Sequence, residues 1–298
     1  MAISSVIPSS AATPAGQGKP VVGFFQDDGS CRDFRPRVLL STRPNLCLYF
    51  ENWAGAKTFP LDLAKELRSQ GVTLMISWQP WDSDLGYGRQ SRYSLGAIAQ
   101  GRFDKYVRNW ARQAAAFKGK LLLRFAHEMN GPWYPWGVNH AGNSAKKYVT
   151  AWRHIHGIFL RAGATNVRWV WAPYAVHGKA NKVLRGVYPG DKYVDVLGPA
   201  GYARRQSGTY KSVFAETIAA IEKISTKPIV ISETAVTNKV SKKLPFIQSF
   251  FTGINADKRI RGFVWFDSQR SDSPWKLANP NLVRAFKAGL ARFQKVKG

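Results

Sequence analysis

The chain has 298 residues, 45% of them hydrophobic, so it is long enough to bury a sizeable core in one large α/β domain. Its 44 Lys and Arg against 18 Asp and Glu give a formal net charge of +26, which either attracts polyanions or simply solvates the outer helices. No apolar run approaches the roughly 18 residues that a membrane span needs, so no span is predicted.

The N-terminal segment is small, polar and proline-containing, and it lacks the basic start and continuous apolar core of a signal peptide. We expect residues 1–19 to be a disordered leader or a linker and residues 20–298 to form one domain. The two cysteines, Cys31 and Cys47, could form a disulfide in an oxidising compartment, but two cysteines support no metal-site pattern.

Short apolar runs alternate with amphipathic segments along the chain. Eight runs predict strands, at residues 21–25, 46–50, 72–78, 121–126, 167–171, 194–197 (the start of the sixth), 228–232 and 260–266. Helices are predicted at residues 61–70, 93–117, 144–162 and about 213–224, between the last two strands, and at 281–293. Ser144 is a plausible N-cap of its helix.

Eight strands separated mostly by helices, without a mid-chain linker, predict an α/β fold that is a single (β/α)8 TIM barrel. A doubly wound open sheet shares the alternation, but it usually carries a Gly-rich phosphate turn after its first strand. Residues 24–29 read FFQDDG instead. We therefore favour the barrel.

Two carboxylates fall at the carboxyl ends of predicted strands, which is where such barrels carry their chemistry. Glu128 follows strand four and Glu233 ends strand seven, so both would reach the mouth of the barrel. A retaining glycosidase needs such a pair, because one carboxylic acid protonates the leaving oxygen while the other carboxylate attacks the anomeric carbon. Taken alone, Glu128 could instead be a solvated loop residue.

Tryptophans accompany the same predicted strand ends. Sugars lie on flat apolar rings, so these residues are candidates for a sugar cleft. The alternative for each is an ordinary place in the core. The candidates are Trp78, Trp81, Trp133, Trp136 and Trp265.

Arg124 lies within predicted strand four. Strand alternation places it on the inward face with Ala126 and Glu128. A buried arginine requires a carboxylate partner, for which Asp33, Glu51 or a residue low in the barrel are candidates. We expect Arg124 to contact residues of the site rather than the substrate itself.

The segment 124–137, RFAHEMNGPWYPWG, resembles the acid/base segment of glycoside hydrolase family 26, the β-mannanase family of a large clan of retaining barrels. Three further blocks are similar to family blocks in the same order: YPGDKYVD at 188–195, KPIVISET at 227–234 and FVWFD at 263–267. The resemblance spans residues 20–290, and it implies that residues 20–298 are a (β/α)8-barrel catalytic domain.

The resemblance implies a role for each matching residue. Glu128 would be the general acid/base, Glu233 the nucleophile, and Tyr202 would hydrogen-bond and orient that nucleophile. Further sugar contacts are implied for His127 beside the acid, Trp133 around the scissile bond and Trp265 as the platform under the reacting sugar. Additional candidates for substrate binding are Trp78, Trp81, Trp136 and Tyr174.

Three positions depart from the family pattern around the sugar-binding surface. Ala200 stands where relatives usually carry Asp, Tyr174 where they commonly carry Asn, and Ala235 where they usually carry Gly. Family members cleave β-1,4-mannan, mixed-linkage β-1,3-1,4-glucan or β-1,3-xylan. We take internal cleavage of β-1,4-mannan as the default, while the charge of +26 keeps an acidic or surface-bound glycan as an alternative.

Nothing in the sequence proposes a metal or organic cofactor, and the mechanism that the resemblance implies needs none. We expect a polysaccharide partner and a monomer. The resemblance implies secretion, although no signal peptide is visible. Two hypotheses of other classes compete with a hydrolase. One is a non-catalytic basic barrel that binds glycans. The other is a nucleic-acid-binding protein, which rests on charge alone and predicts strongly salt-dependent binding.

Overall fold

A computed structural model of the protein has the predicted architecture, a closed barrel of parallel strands surrounded by helices. Residues 1–18 of the predicted leader lie outside the part that the structure describes. The described residues are 19–26, 31, 44–55, 57–88, 90–140, 142–178, 180–204, 208–237, 243–268, 275–277 and 279–297.

The described part of the chain contains nine strands, all paired in parallel. They are β1 (Val21–Gln26), β2 (Leu46–Asn52), β3 (Thr73–Gln79), β4 (Leu121–Phe125), β5 (Val167–Trp171), β6 (Val196–Leu197), β7 (Ala200–Ala203), β8 (Ile229–Val236) and β9 (Ile260–Asp267). Their order around the barrel is β6-β5-β4-β3-β2-β1-β9-β8-β7, and a pairing of β6 with β8 closes the ring.

Strands β6 and β7 share the sixth of eight barrel positions. Between them lie Gly198 and Pro199, and a proline has no amide hydrogen to donate to a ladder. A Cβ atom on Gly198 would lie only 2.5 Å from the Val170 side chain, so no larger residue fits at this position between β6 and β7. The eight predicted strands are therefore confirmed, with the sixth divided in two.

Eight helices cover the barrel within the described residues. They are α1 (Leu61–Ser69), α2 (Leu95–Ala99), α3 (Asp104–Phe117), α4 (Ala145–Arg161), α5 (Ala180–Gly186), α6 (Glu216–Glu222), α7 (Lys243–Ala256) and α8 (Pro280–Lys297). The Ser144 side chain accepts a hydrogen bond from the amide of Lys147 at 3.2 Å, which confirms the predicted N-cap of α4.

Two helix predictions needed correction. The segment 93–117 is not one helix, because Gly101 has a φ of +85° that ends α2 before α3 begins. Glycine adopts this left-handed conformation without steric cost. The helix predicted at about 213–224 begins as a π-helical turn, Lys211–Ala215, and continues as α6. Helix α5 was not predicted.

The core has two parts. A large cluster fills the space between the strands and the helices. A small cluster fills the barrel interior, formed by Leu46, Leu48, Met75, Leu122, Val170 and Val264. Of the helices that the structure describes, none is long and apolar enough to cross a membrane.

Cys31 and Cys47 form the disulfide that the sequence allowed. Their Cα atoms are 6.2 Å apart, within the usual range for such a bond. The bond joins a residue beyond β1 to β2, closing a sequence separation of 16 residues.

Candidate active site

The carboxyl ends of the strands enclose a cavity of about 650 Å³. Its charged lining residues are Glu128, Glu233 and Arg204, and most of the remaining lining is aromatic. The aromatic residues are Phe25, Phe50, Trp81, Tyr87, Trp133, Tyr134, Tyr174, Tyr202, Phe266 and Trp275. The barrel therefore brings the two predicted glutamates together, inside a wall of flat rings.

Glu128 lies just beyond β4, in a tight turn of the backbone. Both Ala126 (φ 44°) and Glu128 (φ 54°) are left-handed, which is a costly conformation for residues other than glycine. The amide of Glu128 donates to the carbonyl of Ala172 at 2.7 Å, which fixes the turn against the end of β5. The Trp133 indole N–H donates to the Glu128 carboxyl at 2.6 Å.

The environment of Glu128 favours its protonated form. Burial, followed by the neighbouring charge of Glu233, raises its pKa to about 8. The guanidinium of Arg124, the Trp133 hydrogen bond and Arg204 act in the opposite sense but do not cancel the effect of burial. A carboxyl with this pKa carries a proton near neutral pH and can donate it.

Glu233 is positioned by an irregularity in β8. Ile231 pairs with Phe263 and Thr234 with Trp265, so β8 has one residue more than β9 between the two pairs. Such a bulge changes the direction of the side chains that follow. Strict alternation from the outward-facing Ile231 would turn Glu233 toward the helices, whereas in the structure it lines the cavity.

Two donors hold the carboxylate of Glu233. Arg124 Nη1 lies 2.7 Å from Glu233 Oε2, and the Tyr202 hydroxyl donates to Glu233 Oε1. Arg124 is fully buried and also donates to Ser77 Oγ at 2.8 Å. The partner expected for Arg124 among Asp33, Glu51 or residues low in the barrel is thus corrected to Glu233 itself.

Arg204, which was not among the predicted site residues, provides a positive charge in the cavity. Its guanidinium lies 5.5 Å from the Tyr202 ring and 5.2 Å from the Trp275 ring, close enough for cation–π attraction. It also hydrogen-bonds the Tyr174 side chain. Arg204 follows β7 directly, so its place at a strand end was a usable signal.

The aromatic wall has two parts. On one side Trp133 meets Tyr174 edge to face, with ring centroids 4.8 Å apart. On the other side Trp81 contacts Tyr87 at 5.3 Å and Tyr134 at 5.8 Å. Of the tryptophans and tyrosines predicted to bind substrate, Trp81, Trp133, Tyr174 and Tyr202 line the cavity.

Four other predicted substrate contacts do not line the cavity, and all four are buried: His127, Trp78, Trp136 and Trp265. Trp265 faces away from the cavity because it alternates with the inward-facing Val264, and its ring packs on Phe250 and Phe286. The side chain that β9 presents to the cavity is Phe266, so the structure does not place Trp265 where a platform under the sugar was expected.

Trp78 and Trp136 belong to the core. Trp78 alternates outward on β3 and packs on Trp110 at 4.7 Å. Trp136 stacks on Tyr134 at 4.3 Å and donates from its indole to the His127 carbonyl at 2.7 Å. Trp136 therefore supports the cavity wall from behind, whereas Trp78 packs between β3 and the helices.

His127 also lies behind the wall rather than on it. Its ring is 4.8 Å from the Tyr134 ring and 5.7 Å from the Phe50 ring, and both of these rings line the cavity. Burial, followed by the charge of Arg124, holds its pKa well below the usual value, so the imidazole is neutral. Direct contact with sugar is therefore not available to His127 in this arrangement.

Trp275 and Asp267 show how the far side of the cavity is built. Asp267 ends β9 and accepts a hydrogen bond from the Leu277 amide at 2.9 Å, while the Trp275 amide donates to the Ser268 carbonyl at 2.8 Å. These bonds hold the Trp275 ring against Tyr202, with centroids 4.8 Å apart. Nothing in the sequence around Trp275 indicated this role.

Within the described residues, no cluster of three or more His, Cys, Asp or Glu is arranged to hold a metal ion.

Comparisons with known proteins agree with this architecture. Residues 97–262, more than half of the chain, match the model of Glycosyl hydrolase family 26. Endoglucanase H from Acetivibrio thermocellus is 29% identical over 280 residues, which is 90% of this chain but only 30% of that relative's length.

Two solved structures have the same fold. The modular endo-β-1,4-mannanase from Cellulomonas fimi superimposes with a TM-score of 0.71 at 18% identity, covering 92% of this chain and 70% of that one. The family 26 β-mannanase from Bacteroides ovatus gives a TM-score of 0.65 at 19% identity, covering 94% and 90%. The chain belongs to glycosyl hydrolase family 26.

Proposed function

We propose that the protein is a retaining glycoside hydrolase in which Glu128 is the general acid/base and Glu233 the nucleophile. The observation that carries this proposal is the contrast between two carboxyl groups in one cavity. Burial raises the pKa of Glu128 to about 8, whereas Glu233 accepts hydrogen bonds from Arg124 and Tyr202. One group is thus suited to give a proton and the other to attack as an anion.

The first step would form a bond between Glu233 and the anomeric carbon. As this bond forms, the glycosidic bond breaks and the leaving oxygen takes the proton of Glu128. Glu128 is then a carboxylate, stabilised by the Trp133 indole N–H. Arg124 and Tyr202 hold the Glu233 carboxylate in place for the attack.

The second step would release the sugar. The Glu128 carboxylate takes a proton from water, the water oxygen attacks the anomeric carbon, and the bond to Glu233 breaks. Two inversions at the same carbon return the original β configuration. Both residues end the cycle in the state in which they began.

We take internal β-1,4 linkages of mannan as the default substrate. Both structural neighbours are named mannanases, and the aromatic wall provides flat faces for sugar rings. A β-glucan is the second candidate, because the relative that covers 90% of this chain is named an endoglucanase. Since this chain spans 30% of that relative, the activity and substrates of the whole relative remain proposals here.

An acidic glycan is supported by a separate observation. Arg204 is exposed in the cavity, held on Tyr202 and Trp275, and it can pair with a negative substituent on a sugar. Hydrolysis that is faster on a carboxylated β-glycan than on its neutral parent would favour this candidate.

The proposal also covers the extent of the catalytic domain, the oligomeric state and the location of the enzyme. We infer that residues 20–298 act as one catalytic domain, as a monomer, outside the cell. The disulfide between Cys31 and Cys47 supports an oxidising compartment, because such bonds persist mainly in secreted proteins.

The test is release of reducing ends from β-mannan, mixed-linkage β-glucan, β-1,3-xylan and an acidic glycan. Glu128→Gln and Glu233→Gln should each lower turnover by roughly three or more orders of magnitude on the preferred substrate. Asp62→Asn, which changes an exposed carboxyl on α1, is the matched control and should retain turnover. Binding of these glycans without any release of reducing ends would favour the non-catalytic barrel instead.

A further inference from the structure

A second opening lies outside the catalytic cavity. It is a cleft of about 780 Å³ between α3 and the short helical turn Ser91–Tyr93. Its lining includes four basic residues, Arg92, Arg102, Lys105 and Arg112, together with Phe103 and Tyr106. We call it the α3 cleft. It shares no lining residue with the cavity that holds the two glutamates.

The charge of the α3 cleft is one-sided. No Asp or Glu is among its lining residues, and the structure records no ion pair between its four cations and another described residue. The nearby Asp104 is already engaged, by Arg108 at 3.2 Å and by His154 at 2.6 Å. Four unneutralised cations around one concave surface concentrate a positive potential there.

A half-buried carboxyl behind the cleft does little to offset this charge. Glu51 interacts electrostatically with Tyr106. Burial raises the pKa of Glu51 to about 7, so it carries only part of a negative charge at neutral pH. The cleft therefore stays positive near neutral pH.

Three of the four cations, Arg102, Lys105 and Arg112, form a row along α3. Lys105 and Arg112 lie seven residues apart on one face of α3, which is about 10 Å along the helix axis. Arg102 precedes the helix and Arg92 faces it from the turn Ser91–Tyr93. A row of this kind matches a chain that carries repeated negative charges better than it matches a single small anion.

The floor of the cleft is aromatic, and its rings are packed against other rings. Phe103 stacks on Tyr93, with centroids 5.4 Å apart and ring planes 14° apart. Tyr106 stacks on the buried Trp78 at 5.7 Å and accepts a hydrogen bond from its indole at 3.2 Å. A surface that is already ordered loses little entropy when a ligand binds, and flat rings of this kind can accept sugar faces.

We propose that the α3 cleft is a second glycan-binding site, which holds an acidic polysaccharide through its repeated anionic groups. The positive row accounts for the anionic partner. The choice of a polysaccharide over a nucleic acid rests on the proposed function with an acidic glycan as substrate, because a hydrolase of such a glycan gains local substrate when a second site holds the same polymer. Binding of this kind would also account for part of the net charge of +26.

The experiment measures binding to polygalacturonate by affinity electrophoresis and by titration at several salt concentrations, using the full chain. The cleft variant is Arg92→Gln/Arg102→Gln/Arg112→Gln. The matched control, Arg161→Gln/Lys223→Gln/Lys295→Gln, removes the same charge from exposed sites elsewhere. Neutral galactomannan and a DNA duplex are the comparison ligands. Circular dichroism checks that each variant is folded, and the three single cleft variants provide a second series.

The cleft variant should bind polygalacturonate roughly ten-fold more weakly, which is the sum expected for three exposed ion pairs, and its salt dependence should fall. The control variant should lose less than about three-fold, and each single variant should show a partial loss. Equal losses in cleft and control variants, or no binding by the unchanged protein at low salt, would overturn the proposal.

The DNA duplex decides between the two classes of polyanion. Tighter binding of DNA than of polygalacturonate, lost in the cleft variant alone, would make the cleft a nucleic-acid site and also overturn the proposal. Because binding is measured without turnover, a protein that hydrolyses none of the glycans still tests the cleft. A negative result for binding at the cleft is therefore distinguishable from a negative result for hydrolase activity.

Discussion

Replacing Tyr202 by Phe removes one hydroxyl group from the carboxylate of Glu233. In the structure this hydroxyl donates directly to Glu233 Oε1, while Arg124 holds the other oxygen. A hydrogen bond to a charged group contributes about 1.5–3 kcal/mol. Since 1.36 kcal/mol corresponds to one pH unit, Glu233 should become protonated about one to two pH units higher in the Tyr202→Phe variant.

The assay is the pH dependence of kcat/KM on the preferred glycan. A nucleophile must be ionised, so activity is lost as the pH falls through its titration, and the acidic limb of the profile should move to higher pH in Tyr202→Phe. Tyr188→Phe is the matched control. Its hydroxyl donates to Asp191 at 2.5 Å, so it loses the same kind of bond outside the catalytic cavity.

The result that refutes this reasoning is an unchanged acidic limb in a folded Tyr202→Phe protein. It would mean that the bond between Tyr202 and Glu233 does not stabilise the carboxylate in solution. An equal movement in Tyr188→Phe would also contradict it, because the effect would then not come from the active site.

Three further predictions concern the site and the fold. Because burial raises the pKa of Glu128 to about 8 and only its protonated form donates, kcat/KM should fall as the pH rises through about 8, with an alkaline limb that a pH profile detects. Arg124→Met leaves the buried carboxylate of Glu233 without its ion-pair partner, so urea unfolding should show a loss of roughly 3–5 kcal/mol; a loss under 1 kcal/mol would contradict the pairing. Replacing Cys31 and Cys47 by Ser opens a loop of 16 residues and should lower the free energy of unfolding by about 3 kcal/mol, measured against the oxidised protein.

The barrel was predictable because its signals are local and repeated. Each apolar run is short enough to be a buried strand, and the amphipathic segments between the runs are long enough to be helices. The carboxyl ends of parallel strands meet at one face, so Glu128 and Glu233 could be assigned to a common mouth without knowing any distance.

The resemblance implied a platform at Trp265, but the structure buries this ring and presents Phe266 to the cavity. Val264 lies in the barrel interior, and side chains alternate along a strand. Trp265 must then face the helices and Phe266 the cavity.

Other features could not be derived from the sequence. The bulge in β8 that turns Glu233 inward depends on pairing with β9, which no local pattern reports. The left-handed backbone at Ala126 and Glu128 is costly on its own and persists only because the surrounding fold imposes it. Trp275 reaches the cavity through hydrogen bonds that join Trp275 and Leu277 to the end of β9.

The central claim is that Glu233 forms a covalent bond to the sugar while Glu128 supplies and recovers the proton. The most direct measurement is mass spectrometry of the protein after reaction with an activated 2-deoxy-2-fluoro-β-glycoside, a class of reagent that slows release of the intermediate. The account predicts one added sugar, on the peptide that contains Glu233. A label on the peptide that contains Glu128, or turnover that yields the α-anomer first without any labelled protein, would contradict it.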